Sequence, residues 1–118
     1  MYDSTTGRFY DSLNADLSVN QHTAHHSTAY ALCYGIYDSQ QMADKISRFV
    51  ANDGKFVGSI YFIYFMLKGL IDSGHADDAV ELLTNPDDRK DQKTFAAILN
   101  TLKATIAPEA WSNHYKPI

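Results

Sequence analysis

A single cysteine, Cys33, stands among 118 residues. One thiol cannot close an intramolecular disulfide or build a thiolate metal cluster, and a reducing compartment is the natural expectation. Basic clusters are missing as well: the ten Lys and Arg are scattered along a chain of net charge −4. A nucleic-acid surface needs a basic stripe to displace counterions from phosphates, so no nucleic-acid partner is expected. The opening residues MYDSTTGRF show no basic segment followed by an apolar core, so no secretory signal is read there. The longest apolar run, SIYFIYFMLKGLI, carries Lys68 and is too short to cross a bilayer, so no membrane partner is expected. No repeat recurs at a fixed period of about 34 or 40 residues. These absences point to a soluble, cytoplasmic protein of one domain, 1–118.

Hydrophobic residues make up 45% and charged residues 20%, an ordinary globular balance. Aromatic residues reach 13%, with eight Tyr, six Phe and one Trp, a composition that suits large cores and also sugar- or ligand-facing surfaces. Residues 1–20 hold turn formers without a sustained period and read as a loop or short hairpin. From residue 23 a helix rich in small and aromatic residues runs to Gly35. Asp38-Ser39 caps a second helix, 39–52, in which Met42, Ile46, Phe49 and Val50 share one face. A third, 59–72, is apolar nearly all round and is expected to be buried on most sides. A fourth, 75–84, turns Ala79, Leu82 and Leu83 inward. A fifth, about 92–102, does the same with Phe95, Ile98, Leu99 and Leu102, and 104–118 has no helical period. The fold class is therefore all-α: about five helices in antiparallel hairpins, strongly apolar ones (first, third) alternating with polar-faced ones, which suggests an inner and an outer layer.

The segment QHTAHHSTAYALCYGI concentrates candidate chemistry. On a helix, His22 and His26 lie four apart and share a face, as paired zinc ligands do, but no acidic third ligand sits nearby and no metal or other cofactor is expected. Left without a metal, the histidines either solvate the start of the first helix or exchange hydrogen bonds with a ligand. Cys33, inside an apolar helix, reads as a small core residue, and Asp3, Asp11 and Asp16 read as turn formers. Glu109 stands apart, in a Pro-Glu-Ala-Trp setting where burial could tune its ionisation and the Trp111 face could stack on a sugar ring.

Three segments together resemble the catalytic domain of bacterial α-L-rhamnosidases, glycoside hydrolase family 78. In QHTAHHSTAYALCYGI, the residues His22, His26, Ala29, Tyr30, Ala31, Leu32 and Gly35 fit the family's inner-helix opening. GSIYFIYFMLKGLIDSGHADDAVELL resembles the next inner helix and the outer helix after it. ATIAPEAWSNHYKP resembles the segment in which the family carries a Glu and, after one residue, a Trp; Gly7-Arg8-Phe9-Tyr10-Asp11 resembles a recurrent turn. The resemblance implies a partial (α/α)6 toroid and inverting hydrolysis of terminal α-L-rhamnosides. It makes Glu109 the catalytic general base, Trp111 a sugar-contacting wall, and His22 and His26 polar groups at the same mouth. The family's toroid has about twelve helices, and its general-acid region has no counterpart here, so the chain reads as a fragment, inactive alone, whose uncovered apolar surfaces favour self-association. The alternative is a non-catalytic helical scaffold that binds a partner through an aromatic face.

Overall fold

A computed structural model describes residues 2–22, 24–89, 92–101, 103 and 111. The all-α expectation holds. Four α-helices dominate: α1 (His25–Cys33), α2 (Gln40–Ala51), α3 (Ile63–Asp72) and α4 (Ala76–Thr84). Single 3-10 turns at Asn52–Gly54 and Ile60–Phe62 follow α2 and precede α3, and Ala97–Thr101 is a π-helical segment. The leader forms a minimal antiparallel hairpin of β1 (Tyr2–Asp3) and β2 (Arg8–Phe9), then a bridge between Leu13 and Val19. No helix among the described residues is long and apolar enough to cross a membrane.

Local chemistry explains the boundaries. Ser39 caps α2 by accepting a 3.1 Å hydrogen bond from the Met42 N–H. The same helix ends in three successive left-handed residues, Asn52, Asp53 and Gly54. There the Asn52 amide donates to Lys55 O (3.1 Å), and the Asn85 amide reaches back to Gly54 O (2.7 Å). The leader is tied to α1 through the buried Thr28, whose Oγ1 accepts from the Phe9 N–H at 2.9 Å.

One core joins all four helices. Ala29 and Leu32 of α1, Ile46 and Val50 of α2, Met66 and Leu70 of α3, and Ala79 and Leu82 of α4 meet Phe56, Phe62, Ile98 and Trp111. The most extensive helix pair is α1 with α3. Gly69 makes their close approach possible, since a methyl carbon there would sit 3.0 Å from Cys33 N and 3.1 Å from Leu32 Cγ. Cys33 itself is a buried free thiol in this crossing.

Three expectations need correction. The third helix was expected to be buried on most sides, yet Tyr61, Tyr64 and Ile71 are 68%, 60% and 54% exposed. Its other face, Phe62, Ile63, Met66 and Leu70, is covered by α1, α2 and α4, and the described residues cover only that side. Leu83 also points outward, because the buried stripe of α4 is narrow and follows Ala79 and Leu82. In the fifth helix the chain takes a π turn, whose wider i→i+5 spacing leaves Leu99 exposed while Ile98 stays inside. The expected irregular segment 104–118 lies outside the described residues except for Trp111.

Candidate functional site

The three histidines diverge. α1 begins at His25, so His22 precedes it and does not share a helix face with His26, contrary to the expectation from their spacing. The N-cap position is Ala24, whose side chain caps nothing, and Asp11, thirteen residues upstream, anchors it from the leader. Its carboxylate accepts from the Ala24 N–H at 2.9 and 3.1 Å and from the Ser27 hydroxyl at 2.7 Å, and contacts His22 Nδ1. These hydrogen bonds, Ser27 first, hold the Asp11 carboxyl at about 2, so it stays ionised and cannot donate a proton near neutrality. His22 projects into solvent beyond this anchor, its side chain 73% exposed.

His25 turns toward α2, where its ring stacks on Phe49 at 4.2 Å. Its Nε2 is buried without a hydrogen-bond partner, and burial lowers its pKa. His26 points the other way. Its exposed ring lies 4.3 Å from the Phe62 ring, and a methyl carbon on Gly58 would fall 2.6 Å from its Nε2. Gly58 has φ +75°, a left-handed conformation that, like the contact, favours the absence of a side chain.

Trp111 reaches the same glycine. Its indole N–H donates to Gly58 O at 2.8 Å, and its ring stacks on Phe56 (5.5 Å, 19°) beside Phe95. At 9% exposure the indole is a fixed part of the core with one face committed to Phe56, rather than an open platform. Two of the four anticipated site residues, His26 and Trp111, thus meet the same short loop, 55–59, while His22 does not. Glu109 lies outside the described residues. Tyr30, edge-on to both Phe62 and Phe65, extends the aromatic surface beside His26.

A second constellation carries no signal in the sequence. His75 Nδ1 lies 3.0 Å from Ser47 Oγ and 2.9 Å from Ser73 Oγ, and its Nε2 lies 2.9 Å from Asp44 Oδ1. The residue types are those of a nucleophilic triad, but the chemistry is not available. Ser47 is fully buried, Ser73 nearly so, and their hydroxyls donate to Ala43 O (2.7 Å) and Leu70 O (3.2 Å). The network is a polar clamp between α2 and the turn joining α3 to α4. The Gln40 amide and then His75 lower the Asp44 pKa. Spacing could not reveal it, since its four members come from two sites that only the fold brings together.

Among the described residues no three His, Cys, Asp or Glu side chains converge to hold a metal ion. The chain matches no protein-family model, and comparison with curated proteins and with solved structures finds no significant match.

Proposed function

We propose that the chain carries the general-base side of a carbohydrate site resembling that of inverting α-L-rhamnosidases, within a partial (α/α)6 toroid. The observation behind the proposal is the meeting at Gly58. His26 at the start of α1, Gly58-Ser59 at the entry to α3 and Trp111 each belong to one of the three stretches that carry the family resemblance. They are far apart in sequence, and the first and last of them meet at Gly58. In this reading Glu109, two residues before Trp111 in the sequence, activates water on one face of the sugar. His26 binds a hydroxyl, and Trp111, held on Gly58 O, backs the loop that walls the pocket. His22, held on Asp11, stands farther out at the mouth.

Inversion needs a second carboxylic acid about 6.5–9.5 Å from the base to protonate the leaving oxygen. Asp11 cannot supply that proton, because its carboxyl is ionised down to about pH 2. General acid catalysis typically contributes about 10²–10⁴-fold, so the chain alone is expected to bind sugar without turning it over. Trp111 is the only tryptophan, so its fluorescence reports this locus alone. Titration with L-rhamnose should shift that emission, Glu109→Gln should leave the shift in place, and His26→Ala should weaken it. An emission unchanged at saturating L-rhamnose, or changed equally by D-glucose, overturns the proposal.

The burial of Trp111 favours a second reading, a non-catalytic helical scaffold whose exposed aromatic face binds a partner. It predicts that L-rhamnose has no effect and that Glu109 variants behave as wild type in every assay.

A further inference from the structure

Among the described residues, one buried side-chain polar atom has no hydrogen-bond partner: Nε2 of His25. Its ring stacks on Phe49 of α2 at 4.2 Å, and the guanidinium of Arg8, from β2, lies 5.5 Å from the centre of the same Phe49 ring. His25 therefore stands where the leader hairpin meets the seam between α1 and α2. The hairpin docks closely there. The Phe9 N–H donates to the buried Thr28 Oγ1 of α1 at 2.9 Å, and Lys45 Nζ of α2 donates to Ser4 O. A methyl carbon on Gly7 would fall 2.9 Å from Lys45 O.

A second proton on this ring would make a buried N–H cation at an atom that has no acceptor. The charged and titratable groups that face it, Arg8 from the leader and His26 from α1, both oppose the charge. The Val50 and Phe49 carbonyls at the end of α2 favour it, but burial outweighs them, so the docked ring holds its proton less tightly than a free histidine. Lifting the hairpin takes Arg8 away and lets water reach the ring. Asp11 is placed to be the hinge. Its bonds to the Ala24 N–H and the Ser27 hydroxyl persist in mild acid, because its carboxyl stays ionised down to about 2. We propose that His25 is a proton-operated latch: once protonated, it releases the β1–β2 hairpin from α1 and α2, while the leader stays attached at Asp11. Because the released state binds the proton more tightly, docking is complete above the ordinary 6.5 and is lost as pH falls below it. The latch is independent of the carbohydrate reading, whose site lies around Gly58.

Amide hydrogen exchange, corrected for the intrinsic effect of pH, tests it bond by bond. The Phe9 amide makes the docking bond to Thr28, and between about pH 7.5 and about pH 5 it should lose about tenfold of its protection. The Ala24 amide, held on Asp11, and the Leu70 amide, within α3, should keep theirs. His25→Phe and His25→Leu remove the titrating nitrogen, and each should hold the Phe9 amide equally protected at both pH values. Phe9 protection that does not change with pH, that falls as much in these variants as in the wild-type chain, or that falls together with Ala24 and Leu70 overturns the proposal.

Discussion

Replacing Gly58 with alanine should damage the candidate site in a way that can be separated into two parts. The first part is backbone: Gly58 sits at φ +75°, where an L-residue costs about 1–2 kcal/mol. The second is contact: the new methyl would lie 2.6 Å from His26 Nε2 and 3.3 Å from Phe62 Cδ1, so the imidazole must swing away. His26 is exposed and can move, so this part should add only about 0.5–1 kcal/mol, comparable to holding a side chain off its preferred rotamer. Gly35→Ala is the control. Its φ is +71° and no heavy atom lies within 4 Å of the added carbon, so it should show the backbone cost alone. Urea unfolding followed by far-ultraviolet ellipticity gives both values. His26→Ala in the Gly58→Ala background should recover the contact part, appearing as a coupling of that size in a double-mutant cycle. Equal losses for Gly58→Ala and Gly35→Ala, with zero coupling to His26, would refute the proposed packing of His26 on Gly58.

Truncating Leu70 to alanine, at the centre of the core, should cost about 2–5 kcal/mol with α-helical structure retained at low denaturant. Ser47→Ala should cost about 1–3 kcal/mol, because it removes a fully buried partner of His75; Ser39→Ala, at an exposed cap, should cost about 0.5–2 kcal/mol. Asp11 has a folded-state pKa near 2 against an ordinary 3.8, so its stabilisation is present above about pH 4 and is lost as pH falls toward 2. Acid unfolding of Asp11→Asn should lack that component. His25 shows the opposite ionisation: its folded pKa lies below the ordinary 6.5, the unfolded chain binds the proton more tightly, and acidification below that value destabilises the fold. His25→Phe keeps the stacking on Phe49, removes the unpartnered nitrogen and should flatten this part of the pH profile.

The sequence made the helices legible where local chemistry and period agree. Ser39 before the Met42, Ile46, Val50 stripe announces α2 and its buried face, and Asn52-Asp53-Gly54 announces its end. Periodicity could not say which side of the all-apolar α3 finds a neighbour, since that depends on where α1 crosses at Gly69. The start of α1 was hidden for a related reason: its N-cap, Ala24, has no capping side chain and is anchored by Asp11 from the leader, whereas a helical reading of His22 and His26 presumes an earlier start. The polar clamp of Asp44, Ser47, Ser73 and His75 is likewise a product of tertiary structure. Of the residues anticipated from pattern, His26 and Trp111 lie against one loop, while the burial of Trp111 against Phe56 was not legible in its Pro-Glu-Ala-Trp setting.

The most direct test of the proposed site is a crystal structure of the chain grown with L-rhamnose. The account predicts a sugar ring beside Gly58, with His26 Nε2 hydrogen-bonded to a hydroxyl, Trp111 behind the Gly58 loop, and the Glu109 carboxylate facing its anomeric carbon. Crystals in saturating L-rhamnose that hold no sugar at this loop, or that bury Glu109 away from it, would contradict the account.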